Sequence, residues 1–462
     1  MVDLAVNYVR DARERPVWQP LSPEARAVLT DKTLPTDGCS LDSVIDQFRD
    51  NILPFATGNI HPRFFGWVHG SGLAGGIIAE MCAAAMNANC GGRDHAAIYV
   101  EKKVIDWCKE IFAFPSAASG ILVTGTSMAN LLGLGVARQA QLGSTVRAEG
   151  VGRQPNHLTV YTSSEAHDSV TKAVEILGIG SSYLRKISVD GDFRIDVAEL
   201  RRAIEEDRRA GLQPWCVVGS AGTVNTGAID DLAQLADICE RERLWFHVDG
   251  AFGALCMLSD TLRDRLRGIE RADSIAFDFH KWAHVQYDCG CLLVRDGELH
   301  RSTYVLRPPY LQPVERGLAA GTDWPCDYGP DLSRGFRALK VWFALQEHGT
   351  RKIGRLIEQN CWLARQLEEK VSANPGLELL ARATLNIVCF RFLVPGATLT
   401  ATDRFNEELV ADLQESGIAA PSTTRINGRI AIRVNITNHR TRLRDLDILL
   451  SAVTDLGTRR LQ

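Results

Sequence analysis

Between residues 119 and 294, short apolar runs alternate with longer amphipathic ones. GILVTGTS leads into MANLLGLGVARQAQL, HLTVYTSS into EAHDSVTKAVEILG, and PWCVVGSAG into IDDLAQLADICERER. LWFHVDGAFGA, SIAFDFH and GCLLVRD follow. The short runs are rich in Val, Ile and aromatic residues, as buried strands are, and the segments between them carry helical spacing. The alternation predicts βαβ units and an α/β fold with a mostly parallel sheet flanked by helices. Ligands of such sheets bind beyond the carboxyl ends of the strands. The polar residues at those ends are therefore the candidates for chemistry.

The pattern changes on either side of this block. Residues 1–60 predict a helical arm broken by Pro16, Pro20, Pro23 and Pro35, with SLDSVIDQFRDNIL as its clearest helix. Ser40 is the expected N-cap of that helix, with Asp42 in its first turn. The arm holds too little apolar residue to fold alone and is expected to pack on another subunit or on the main domain. Residues 61–345 predict a large ligand-binding domain. Residues 346–462 predict a small α+β domain, built from LNIVCFRFLV, a helix near 402–416, RIAIRVNITN and a last helix. The Pro-, Gly- and charge-rich stretch 307–335 is a loop long enough to expect a function for it.

Composition narrows the field. At 462 residues the chain exceeds what one simple core organises. A formal net charge of −4 leaves no electrostatic footprint for nucleic acid or an anionic membrane. The most apolar stretch, GLAGGIIAEMCAAAM at 72–86, is too short to span a bilayer and carries Glu80. The twelve cysteines lack framework spacing and MVDLAVNYVR does not read as a secretory signal, so free thiols in the cytoplasm are expected.

Four strand ends carry the chemistry. Lys281 follows His280 at the end of SIAFDFH; a lysine placed there can form a Schiff base with an aldehyde. Asp249 ends LWFHVD and is followed by Gly250 and Ala251. A buried carboxylate there can pair with a cationic ring nitrogen, as pyridoxal phosphate requires, with the small Ala251 flat against the ring. TGTSMANLL carries a strand through Gly125, Thr126 and Ser127 into a helix, whose N-terminus suits an anion. His167 lies just past HLTVYTSS. Each of these has an ordinary structural role when taken singly. His280 and His284 are spaced like metal ligands but lack the accompanying Glu, and no metal is expected. Gly133 and Gly135 lie inside a helix, not in the turn before it, and make no dinucleotide fingerprint.

In order and spacing, HVDGAFGA, DFHKWAHVQYDCG, YTSSEAHDSV and TGTSMANLL resemble the group II pyridoxal-phosphate decarboxylases, which include aromatic L-amino-acid decarboxylase. HPRFFGW, IDWCKEIFAFP and LSRGFRALKVWF extend the resemblance over nearly the whole chain. It implies fold type I and a homodimer with active sites at the subunit interface. By the same resemblance Lys281 holds pyridoxal 5'-phosphate, Asp249 meets its ring nitrogen, His167 stacks on one ring face and Ala251 packs on the other. Thr126 and Ser127 bind phosphate, helped by His280 and Asp278, and Thr223 lies close to the cofactor. The implied reaction is decarboxylation of an L-amino acid, aromatic by family prevalence, to its amine.

Trp67, His69 and Arg93 fall where the family lines its substrate pocket. Arg93 leaves an acidic amino acid such as glutamate or aspartate open as the substrate. The family's proton donor is a loop tyrosine, and GTDWPCDYGPDLSRG does not place one squarely at that point; Tyr328 lies a few residues later. Members with phenylalanine there are aldehyde synthases, which consume oxygen and release ammonia and peroxide, so that outcome is a second expectation. A non-catalytic pyridoxal-binding protein conflicts with the presence of Lys281, Asp249 and His167 together. A nicotinamide dehydrogenase would show no dependence on Lys281.

Overall fold

The first strand, β1 (Phe64–Phe65), is short. The apolar runs between 119 and 294 supply β2 (Ser119–Val123), β3 (Leu158–Ser163), β4 (Leu184–Ile187), β5 (Gln213–Ser220), β6 (Trp245–Asp249), β7 (Ser274–Asp278) and β8 (Gly290–Val294). The C-terminal part adds β9 (Leu377–Ala381), β10 (Ile387–Phe392), β11 (Ala420–Ile426) and β12 (Arg429–Asn435). This computed structural model describes residues 2–152 and 157–462. Two compact units emerge, one of residues 70–361 and one of residues 1–69 with 362–462.

The first unit is built on a seven-stranded sheet in the order β2-β8-β7-β6-β5-β3-β4. Neighbours from β7 through β4 are parallel, and β8 runs antiparallel to both β2 and β7. The sheet is mostly parallel, as the alternation predicts. Its strands are nearly continuous apolar runs because helices cover them. The helix Thr126–Leu142 buries Ala129, Leu132 and Val136 against Ile121, Ala276 and Leu292. Its neighbours Leu134 and Ala137 pack with Leu158, Val160 and Val218. Asp231 caps the helix Leu232–Glu242 by accepting the Gln234 N–H at 3.0 Å. The 307–335 stretch is organised around Trp324, which is buried and carries the guanidinium groups of Arg93 and Arg307 at 4.8 and 4.7 Å from its ring.

The second unit holds the sheet β1-β11-β12-β10-β9, antiparallel except where β1 joins β11. Phe65, Leu363, Leu367, Phe390, Leu409, Ile432 and Leu446 fill its core. The expected divisions at 60/61 and 345/346 fall elsewhere. Residues 61–69 join the C-terminal sheet because β1 pairs with β11, and the helical run Arg337–Ser372 delivers Leu363 and Leu367 to that core. The expected separate arm also belongs to this unit. Val17 packs with Phe64 and Ala420, and Arg13 meets the buried Asp445 at 2.6 Å. Ser40 caps as expected, accepting the Ser43 N–H, but the helix it starts ends at Gln47 and gives way to a π-helical turn over Phe48–Ile52. No helix among the described residues is long and apolar enough to cross a membrane.

Candidate active site

The strands β2, β3, β5, β6 and β7 end on one edge of the first sheet, and the predicted polar residues gather there. Asp278 closes β7 and opens the one-turn helix Phe279–Trp282 that carries His280 and Lys281. Gly70 lies against this turn. A Cβ on it would stand 1.8 Å from the His280 carbonyl oxygen, so glycine alone fits. The Asp278 carboxylate is buried. Its Oδ1 accepts the Thr126 N–H at 2.7 Å, and its Oδ2 lies 2.8 Å from Lys281 Nζ and 3.5 Å from His280 Nε2. His280 Nδ1 accepts the Cys289 N–H at 3.0 Å, which leaves the ring proton on Nε2, facing Asp278. Burial holds His280 below the usual histidine range; Lys281 adds to this and Asp278 opposes it.

One strand over, Asp249 closes β6. Its Oδ1 accepts the Ala251 N–H at 3.1 Å and its Oδ2 accepts a hydrogen bond from Asn130 Nδ2 at 2.9 Å. Asn130 Nδ2 also donates to Ser169 Oγ at 3.0 Å. Ser169 in turn fixes His167, whose Nδ1 accepts the Ser169 N–H at 3.1 Å and lies 2.9 Å from its Oγ. The exposed His167 ring is thus tied through Ser169 and Asn130 to the buried Asp249.

The third part is the start of the helix Thr126–Leu142, which has no side-chain cap and no acidic residue in its first turn. Such an end presents positive potential. Thr126 Oγ1 is buried and has no partner among the described residues, while Ser127 is exposed beside it. Gly290 lets the backbones close here, since a Cβ on it would stand 2.5 Å from Gly125 Cα. An amine, a buried carboxylate and a helix start whose N-cap residue gives no side-chain cap thus share one edge.

Residues 23–393 match the family model for the pyridoxal-dependent decarboxylase conserved domain. The chain belongs to that family. It is 33% identical over 445 residues to an aromatic-L-amino-acid decarboxylase of Bacillus atrophaeus, covering 95% of this chain and 90% of that protein. It is 28% identical over 447 residues to a phenylacetaldehyde synthase of Arabidopsis thaliana, covering 94% and 90%. The fold superposes on Oryza sativa TDC, solved with PLP and tryptamine, at a TM-score of 0.91 and 26% identity, covering 100% of this chain and 96% of that one. The chain is a pyridoxal-phosphate-dependent carboxy-lyase of fold type I. The residues present fit that cofactor. The orphaned Thr126 hydroxyl and uncapped helix end suit its phosphate, and Asp249 retains acceptor capacity beyond its two bonds.

Another predicted residue of this decarboxylase lies on the same sheet edge. Thr223 is buried just past β5, where its Oγ1 accepts the Ala228 N–H and lies 3.1 Å from Thr226 Oγ1, closing a turn. Trp67 and His69 belong to the other unit, where His69 stacks with both Phe64 and Trp67. Arg93, at φ 90°, lies over Trp324. Tyr328 donates its hydroxyl to Asp323 at 2.5 Å and packs edge-on to His300, whose Nδ1 lies 2.8 Å from Ser119 Oγ. Ser119 starts β2 and Thr126 follows its far end, a strand length of roughly 16 Å away. Within this chain Tyr328 is not brought to Lys281. Sequence reasoning missed Asn130, His247, Ser169 and Ser274. Two signals pointed to them: His247 shares a strand face with Asp249 at i−2, and Asn130 shares a helix face with Thr126 at i+4.

Proposed function

We propose that the chain decarboxylates an aromatic L-amino acid to its amine, acting as a cytoplasmic homodimer with active sites at the subunit interface. The observation that carries this is the meeting of Lys281, the buried Asp278 and the start of the Thr126–Leu142 helix one strand from Asp249. In this reading Lys281 anchors the cofactor and Asp249 faces its ring nitrogen. His167 and Ala251 cover the two ring faces, and Thr126, Ser127 and His280 hold the phosphate end near Asp278, with Thr223 closing the neighbouring turn. Pyridoxal phosphate bound there supplies a sink for the electron pair left when CO2 departs. Asp278 lies close enough to take a proton from, or return one to, Lys281 Nζ. Arg93 is proposed to line the substrate side. The aromatic preference is supported by the bacterial aromatic-L-amino-acid decarboxylase relative.

A second reading is favoured by Tyr328. Its hydroxyl is engaged by Asp323 at the amino end of β2, and the relatives include a phenylacetaldehyde synthase. On that reading the product is an aldehyde, with ammonia and peroxide. Incubating the purified protein and pyridoxal phosphate with a panel of aromatic and acidic L-amino acids separates the outcomes. CO2 with a stoichiometric amine from aromatic substrates supports the first reading, and peroxide with aldehyde replaces it by the second. Turnover retained by Lys281→Ala would sink both.

A further inference from the structure

Behind Asp249 the hydrogen bonds form a chain with only one possible direction. Trp245, His247 and Asp249 alternate onto one face of β6. Ser274, the first residue of β7, sits in register opposite His247. Trp245 Nε1 donates to Ser274 Oγ at 2.9 Å, and indole N–H is a donor only. At the other end a carboxylate only accepts, so the Asn130 amide must turn its Nδ2 to Asp249 Oδ2 and its Oδ1 to His247. His247 Nε2 lies 2.9 Å from that Oδ1 and must carry the ring proton. Its Nδ1 is then an acceptor and takes the Ser274 hydroxyl proton at 2.7 Å. Burial alone holds His247 far down, to about 3, so the ring stays neutral and the pattern unbroken. Gly133 clears the space for the imidazole, because a Cβ there would stand 2.9 Å from His247 Cε1.

We propose that Trp245, Ser274, His247 and Asn130 are positioning residues, a one-way donor chain that fixes the Asp249 carboxylate toward the cofactor ring nitrogen and, through the second amide hydrogen of Asn130, couples it to Ser169 and His167. The inference rests on Asp249 facing the ring nitrogen, as argued above. Ser274 is the point at which to break it, because it meets Trp245 and His247 at the start of β7 while Asp278 and the cofactor side lie at the other end of that strand. Without the hydroxyl, Trp245 Nε1–H loses its acceptor and His247 Nδ1 its donor, so nothing on the far side of the ring holds the Nε2 proton on Asn130 Oδ1 and the Asn130–Asp249 contact loosens.

The test has two readouts. Nitrogen-15 spectra of histidine-labelled protein without added cofactor report the His247 tautomer, which is expected to be Nε2–H in the wild type. A wild-type Nδ1–H tautomer overturns the chain whether or not the cofactor reading holds. Pyridoxal phosphate titration then reads the consequence: Ser274→Ala is expected to weaken binding up to about tenfold, the upper worth of one hydrogen bond between neutral groups. It is also expected to shift the pH dependence of the visible band of the lysine-bound cofactor, and Ser274→Thr, which restores the hydroxyl, should recover both. Wild-type affinity and an unchanged pH dependence in Ser274→Ala would overturn the proposal, since a merely structural serine moves stability alone. Absence of any Lys281-dependent visible band in the wild type would instead defeat the reading on which it rests, and the proposal with it.

Discussion

Gly290 and Thr126 shape the helix-start end of the candidate site by opposite means, one by lacking atoms and the other by holding one in reserve. A Cβ on Gly290 meets backbone, Gly125 Cα at 2.5 Å and Gly125 C at 2.6 Å, which no rotamer change relieves. Gly290→Ala is therefore expected to move the β8 end away from the Thr126 helix and abolish tight cofactor binding, as read by equilibrium dialysis of pyridoxal phosphate. Thr126→Val keeps the side-chain shape and removes a buried hydroxyl that has no partner in the described chain. An unpaired buried polar group costs about 1–3 kcal/mol. The variant should thus unfold at equal or higher denaturant without cofactor, yet bind pyridoxal phosphate roughly tenfold more weakly. Equal loss in both measurements would assign Thr126 to packing alone.

At the scale of elements, a buried ion pair joins the parts that flank β2. Arg334 and Glu101 are both almost fully buried. Arg334 Nη1 donates to Glu101 Oε2 at 2.9 Å and Nη2 to Oε1 at 2.6 Å, while the same guanidinium donates to the carbonyls of Cys90 and Leu122. Glu101 also accepts the Leu122 N–H. The pair ties the helix Ala96–Ile111, β2 and the segment before Arg337 together. Removing one partner strands a buried charge, so Arg334→Ala is expected to cost about 3–5 kcal/mol in urea unfolding. The double variant Glu101→Leu with Arg334→Met should recover much of that. This pair was not legible in the sequence, because its members are 233 positions apart and nothing local marks them. The sheet was legible, since strands covered on both faces must be apolar throughout and must alternate with the helices that cover them. The strand-end residues were legible for the same reason: a polar residue closing an apolar run has to face a ligand or a cap. The unit boundaries were not, because β1 has only two residues and its partner, β11, lies about 350 residues further on.

Over the whole molecule, buried histidines make acid stability a test of the described fold. In the unit of residues 70–361, His247 and His300 are fully enclosed, and burial lowers each to about 3; His280 is lowered as well. Each is depressed below its unfolded value, near 6.5, so through His247 and His300 the unfolded chain binds more protons than the folded one between about pH 6.5 and pH 3. Stability is therefore present above that window and is lost as pH falls through it. Each such histidine contributes a slope of up to about 1.4 kcal/mol per pH unit. Carboxylates titrate over part of the same range, so the wild-type slope alone assigns nothing, but a variant isolates one ring. His300 serves best, because its nitrogens meet Ser119 Oγ and the Tyr328 carbonyl, outside both the cofactor cluster and the chain behind Asp249. His300→Gln can keep one of those bonds and cannot be protonated. It is expected to be less stable than the wild type at pH 7.5 but to lose less stability between pH 6.5 and 4.5, so that the two urea midpoints converge as pH falls. Parallel midpoint curves for the two proteins would show that His300 titrates in the folded state as it does in the unfolded one, and that the enclosure of this end of β2 is looser than described.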